Sequence, residues 1–138
     1  MSEENKARFR RIFEEIFSQG KVEAIGELID PKWVDHNPVV GHETEGTKKI
    51  VTTYRDAFPD LNLNVDLLMA DGDLVAGHLT TTRTHMGEFM GVAPTNNRFT
   101  MTEVHIVRFA HGKAAEHWGN SDELGMMQPL GVIPDRMG

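Results

Sequence analysis

Glu103 and His105, and then Glu116, Trp118, Asn120 and Asp122, recur at every second position near the end of this 138-residue chain. Two or three carboxylates beside an imidazole can take up and release protons, and an indole among them supplies an apolar wall. A carboxylate buried beside such a wall resists ionisation, so its pKa rises toward neutrality and it improves as a shuttling acid/base. In water the same residues would be a solvated row on an antiparallel sheet. Met101, Val107 and Phe109 share the row with Trp118, and solvation would expose all four. A small-molecule pocket, with apolar walls and a few convergent polar groups, accommodates both kinds of residue.

The element that must position these groups is a β-hairpin. Thr100 to Phe109 and Ala114 to Ser121 both read as strands, and Ala110-His111-Gly112-Lys113 between them supplies the glycine of a tight connection. With a two- or four-residue loop, Phe109 sits opposite Ala114, His105 opposite Trp118, Glu103 opposite Asn120 and Met101 opposite Asp122. Alternation then puts Glu103, His105, Glu116, Trp118, Asn120 and Asp122 on one side of the sheet.

Composition bounds the function. The length suits one domain over residues 1–138 with a substantial core, and a 39% hydrophobic, 25% charged balance is that of a soluble globular protein. The N-terminal stretch mixes charged and apolar residues as no signal peptide does, and no run is long enough to cross a membrane. A cytoplasmic protein with no membrane partner is therefore expected. The absence of cysteine excludes thiolate chemistry. A net charge of -7 with scattered basic residues argues against nucleic acid. His36 and His42 raise a metal reading, but their spacing fits no helical ligand pair, so neither metal nor cofactor is expected.

Earlier in the chain, Phe9, Ile12, Phe13, Ile16 and Phe17 give Glu3 to Gln19 the stripe of an amphipathic helix that Gly20 closes. Val22, Ile25, Leu28 and Ile29 suit a second, short helix ended by Asp30-Pro31. Trp33 to Pro38 reads as a short extended segment, since Asn37 precedes proline. There Asp35, His36 and Asn37 either turn the chain or crowd a site beside Trp33. Thr44 to Phe58 is helical, with Ile50, Val51, Tyr54, Ala57 and Phe58 on one face. Leu61 to Met69 and Leu74 to His85 are strands joined at Asp71-Gly72-Asp73. The loop Met86 to Asn97 carries Phe89, Met90 and Val92, which must cover a pocket mouth or a subunit partner. Helices first and antiparallel strands after describe an α+β domain, a curved sheet folded round the N-terminal helices. The Phe9 face, the Tyr54 face and the His105/Trp118 face are expected to line one internal cavity.

Asp35-His36-Asn37-Pro38, Ala57-Phe58-Pro59-Asp60, Thr84 to Phe89, Gly91 to Thr95, Gly112-Lys113 and Glu116-His117-Trp118, followed by Asp122, Leu124 and Gly125, together resemble the SnoaL-like polyketide (ester) cyclases of the nuclear transport factor 2-like superfamily. The resemblance runs over nearly the whole chain in order. It implies a cone-shaped α+β barrel with an internal pocket, a homodimer or homotetramer, and cofactor-free intramolecular aldol condensation of a polyketide-like substrate. By motif, Asp122 falls on the acid/base carboxylate and His36 and Asn37 on the His-Asn-Pro stretch, while His105 matches a pocket histidine by position only. There are departures: Gly119 follows Trp118 where relatives often carry an acid, Asn96-Asn97 stands for Gly-Lys, and Gln128-Pro129 for Gln-Gln.

An aldol closure needs a base for a carbon between carbonyls, a stabiliser for the enolate and an acid for the new alkoxide. Asp122 with His105 supplies the acid/base in this reading. His105 or Asn37 donates to the enolate oxygen. His36, Asn37, Glu103, Asn120, Trp118, Phe89 and Met101 contact the substrate, the last three shaping the pocket. Two other functions stay open: isomerisation, dehydration or epoxide hydrolysis by the same groups, and non-catalytic binding of apolar small molecules. Asp122 also has a structural reading as the N-cap of a helix carrying Leu124, Met126, Met127 and Leu130.

Overall fold

The computed structural model describes residues 2–36 and 44–132. Helix α1, Ser2–Arg10, runs on into a π-helical stretch, Arg11–Phe17. Here the aromatic stripe of Phe9, Phe13 and Phe17 stacks on itself, with ring centroids 4.7 and 5.8 Å apart. Gly20 ends the helix with φ +73°, a left-handed conformation that glycine adopts without a Cβ penalty. A 3-10 turn at Val22–Ala24 and the short helix α2, Ile25–Leu28, lead into strand β1, Ile29–Asp35. The second helix is thus shorter than expected, and Ile29 opens a strand instead of closing the helix. Helix α3 is Thr44–Ala57, matching its apolar stripe.

Four further strands complete the sheet: β2, Asn62–Asp71; β3, Leu74–Thr84; β4, Arg98–Ala110; and β5, Lys113–Ser121. Their order is β1-β5-β4-β3-β2. All neighbours run antiparallel except β1 and β5, which are parallel. This is the expected α+β architecture, with a curved sheet packed against the N-terminal helices and α3, closed by α4, Glu123–Met127. No helix among the described residues is long and apolar enough to cross a membrane.

The core lies between the inner sheet face and the helices, where Phe9, Ile16, Leu28, Val51, Phe58, Leu79 and Val107 are almost wholly buried. Gly77 on β3 is the point of closest approach. A Cβ built there would lie 2.5 Å from the Phe9 ring, so α1 can sit this close to the sheet only over a glycine.

The β4–β5 hairpin turns through His111 and Gly112, with φ of 53° and 79°, as in a two-residue type I′ turn. Phe109 pairs with Ala114 as expected, but Arg108 pairs with Glu116, so Ala115 is an extra residue on β5. This β-bulge shifts every later pair by one. His105 faces Gly119, Ile106 faces Trp118 and Glu103 faces Ser121. Because side chains alternate, the slip sends Glu116, Trp118 and Asn120 to the outer face and brings His117 and Gly119 inward.

Candidate functional site

The inner face of the hairpin and the helices that cover it enclose a cavity of about 100 Å³. Ile12, Phe13 and Phe17 from the N-terminal helix, Ile29 from β1, Ile50 from α3 and Val107 from β4 form its apolar walls. Its polar residues come from separate elements: Trp33 and Asp35 from β1, Thr47 and Tyr54 from α3, Arg83 from β3, Glu103 and His105 from β4, and His117 from β5.

Five of these polar groups form one line, from Arg83 to Asp35. Arg83 Nη2 donates to Glu103 Oε2 at 3.2 Å and to Thr81 Oγ1 at 2.7 Å. Glu103 Oε1 is 2.8 Å from His105 Nε2, His105 Nδ1 is 2.8 Å from His117 Nε2, and His117 Nδ1 is 2.9 Å from Asp35 Oδ1. The side chains of Arg83, Glu103, His105, His117 and Asp35 are 3%, 12%, 10%, 10% and 1% exposed, so the line is shielded from water. Phe13 packs on the His105 ring at 4.4 Å between centroids, and Trp33 on His117 at 5.8 Å. Gly119 makes the histidine contact possible. A Cβ there would lie 2.9 Å from His105 Nδ1 and 3.1 Å from His117 Cε1.

Burial and partners oppose one another along this line. Burial alone would push the Glu103 carboxyl up, but hydrogen bonds and charges from His105 and Arg83 outweigh it and hold Glu103 below its ordinary value, the reverse of the rise expected for a walled-in carboxylate. For His105 burial wins over the pull of Glu103, and the imidazole is held below its ordinary value. Burial raises the Tyr54 phenol, which therefore keeps its proton at neutral pH. Arg83 is sandwiched by rings, 5.0 Å from the Phe58 centroid and 5.9 Å from those of Tyr54 and Phe99. Three buried polar atoms of cavity residues have no partner among the described residues: Trp33 Nε1, Thr47 Oγ1 and Arg83 Nε. Each such atom costs about 1–3 kcal/mol until a partner reaches it.

Of the residues expected at the site, Glu103 and His105 line the cavity. The bulge at Ala115 turns Glu116, Trp118 and Asn120 away from it, and the remaining residues lie elsewhere. Trp118 stacks on His36 outside the sheet at 4.9 Å and 9°, and His36 Nε2 lies 2.8 Å from Glu116 Oε2. Asn120 is exposed on that face. The expectation that His105 and Trp118 share one face is therefore wrong, and His117 takes the place assigned to the indole. Asp122 is exposed just beyond β5, where its Oδ1 accepts from Gly125 N at 2.9 Å as the N-cap of α4. Phe89 and Met101 are core residues, 4% and 3% exposed, that do not line the cavity. Phe89 packs on Tyr54 and Phe58 at 5.2 and 5.1 Å, so the loop covers the core behind α3. Asn37 and His42 lie outside the described residues.

Arg83, Asp35 and His117 were missed as a group. A signal for one existed: Val75, Gly77, Leu79, Thr81 and Arg83 alternate as the inward row of β3, and an arginine in such a row implies a buried acid opposite.

A family model described as SnoaL-like polyketide cyclase matches residues 7–130. Among curated relatives, the aklanonic acid methyl ester cyclase DnrD of Streptomyces peucetius is 28% identical over 123 residues, covering 85% of this chain and 84% of that protein. The nogalonic acid methyl ester cyclase of Streptomyces nogalater is 26% identical over 119 residues, covering 83% and 89%. Among solved structures, AclR from Streptomyces galilaeus, to which a hydroxylase activity has been ascribed, superposes with a TM-score of 0.88 at 32% identity over 99% of this chain and 87% of its own. IdmH from Streptomyces antibioticus, a candidate polyketide cyclase, superposes with a TM-score of 0.80 at 33% identity over 93% and 99%.

Proposed function

The chain belongs to the SnoaL-like polyketide cyclase family, and we propose that it closes a ring in a polyketide-like substrate by cofactor-independent intramolecular aldol condensation. The observation that carries this reading is a carboxylate, Glu103, clamped by Arg83 and His105 on the wall of a largely apolar cavity. A carboxylate oxygen has two acceptor sites, so Glu103 can receive a substrate proton while keeping its present bonds. It removes a proton from carbon flanked by two carbonyls. The C–H electron pair becomes an enolate, attacks a second carbonyl carbon of the same molecule, and the resulting alkoxide takes the proton back. Atoms balance without an oxidant or a second substrate, and the product is an isomer.

Enolate stabilisation falls to groups other than the histidine. Both nitrogens of His105 are engaged, whereas Trp33 Nε1, Arg83 Nε and Thr47 Oγ1 are without partners among the described residues and suit a substrate oxygen. A cavity of about 100 Å³ is on the scale of the engineered cavity of roughly 150 Å³ that holds one benzene. It would enclose the reacting dicarbonyl end, with the rest of a multi-ring substrate nearer the mouth.

Turnover of a panel of β-dicarbonyl substrates tests the proposal. Glu103→Gln keeps the shape but cannot exchange a proton, and should lower kcat by about 10²–10⁴-fold. Near-normal turnover by a folded Glu103→Gln protein removes Glu103 from the mechanism.

A further inference from the structure

The series Glu103, His105, His117, Asp35 contains three junctions short enough to be hydrogen bonds, and each needs one proton. Two neutral imidazoles between two carboxylates bring only two. If each histidine donates to its own carboxylate, His105 Nδ1 and His117 Nε2 face each other at 2.8 Å as two lone pairs. If the protons are placed otherwise, the gap moves to another junction and does not close. A third proton completes all three bonds. It also leaves one imidazolium against two carboxylates, and with the Arg83 guanidinium on Glu103 the buried set is then electrically neutral.

We propose that these four residues act as a single acceptor with room for one proton, and that His117 and Asp35 are positioning residues that make Glu103 an effective base. In the resting state the line holds two protons. With the resting gap at the Glu103–His105 junction, Glu103 takes the proton from substrate carbon on its free lone pair and turns it into that junction, so the line gains its third proton and every junction is filled; when the alkoxide recovers it, the line returns to two. The accepted proton thus gains hydrogen bonds inside the protein that an isolated carboxylate would not give it. Gly119 is what admits this arrangement, because any side chain there would meet both rings. His117, on β5, thus links the His105 ring to the Asp35 carboxylate on β1. Low affinity of His105 for a proton, caused by its burial, fits a resting line that is one proton short near neutrality. Among the described residues, the ionisable groups acting on His105 are Glu103, His117 and Asp35, and Arg83 and Tyr54 line the same cavity.

The catalytic part of this proposal rests on the function proposed above; the sharing of a proton does not, so the two are tested apart. For the first, protein carrying ¹⁵N-histidine is titrated from pH 8 to pH 4.5 without ligand. The rings of His105 and His117 should respond together, at one midpoint and with uptake of one proton, and a far-downfield ¹H resonance should appear with it. Separate midpoints for the two rings, or no change in either, overturn the shared proton. For the second, His117→Gln keeps a hydrogen-bonding group but carries no exchangeable charge. It should lower kcat by about 10²-fold, leave KM nearly unchanged and abolish the limb of the kcat–pH profile that follows the NMR midpoint. An unaltered kcat profile overturns the positioning role even if the proton is shared. If His117→Gln does not fold, Asp35→Asn, read by the same midpoint and the same limb, decides in its place.

Discussion

Replacing Gly77 by alanine tests whether the contact between α1 and the sheet also holds the site in place. The added Cβ would stand 2.5 Å from both Cε1 and Cζ of Phe9 and 3.2 Å from Leu68 Cδ2. Restoring ordinary contact at 3.4 Å requires the Phe9 ring to retreat by about 0.9 Å. That ring is wholly buried and backed by Phe13 at 4.7 Å, which in turn lies 4.4 Å from the ring of His105. Such a movement pushes Phe13, itself a wall of the cavity, toward His105. Overpacking of this kind costs about 1–3 kcal/mol, which for a domain of this size lowers Tm by roughly 3–15 °C. Thermal unfolding followed by circular dichroism measures it directly. Phe9→Leu removes the clashing ring atoms, so in a double-mutant cycle the pair should be less destabilising than the sum by about 0.5–3 kcal/mol. An unchanged Tm in Gly77→Ala, or strict additivity with Phe9→Leu, would refute the account of why a glycine stands there.

Asp122→Asn should leave turnover within a few-fold of wild type, because asparagine caps a helix about as well as aspartate and the carboxylate faces water. A loss of 10²-fold or more in a protein of unchanged Tm would restore Asp122 as an acid/base. Stability should fall on acidification in two stages. His105 binds its proton less readily folded than free, so its contribution is present above the ordinary value of 6.5 and is lost as pH falls below it. Glu103 is likewise held below its ordinary 4.5 and loses its contribution further down. Tm measured from pH 7.5 to 4 should show both, and His105→Gln should remove the upper stage; a Tm that is flat between pH 7.5 and 5.5 would contradict the direction given for His105.

How much of this was legible in sequence depended on whether a feature repeats. The stripe of Phe9, Phe13 and Phe17, the face of Tyr54 and Phe58, and the alternation of β2 to β4 are periodic, and each element formed close to where the pattern put it. Glu103 and His105 share the cavity face because both lie on one strand, where alternation fixes their side. The failures came where one strand had to be aligned with another. Ala115 looks like any other strand alanine, yet as an unpaired residue it turned Trp118 and Asn120 outward and His117 inward. Asp35 depended on β1 joining the far side of β5 in parallel, a long-range pairing that leaves no local trace. Arg83 was visible as an odd charge in an inward row, but its partner on β4 required the register of a second pair of strands.

The bulge at Ala115 also bears on how such a pocket can change over generations. Two alternative sets of side chains are written into β5, one in use and one held outside, and what chooses between them is the parity of the strand. Inserting a single codon after 115, with the bulge kept, would set Glu116 opposite Val107 and rotate the remainder of β5 by half a pleat, withdrawing His117 and presenting Glu116, Trp118 and Asn120 to the interior without altering any of them. Length variation at a hairpin tip is therefore a shorter path to new chemistry here than point substitution. In this fold, libraries that sample only amino-acid identity leave that path unexplored.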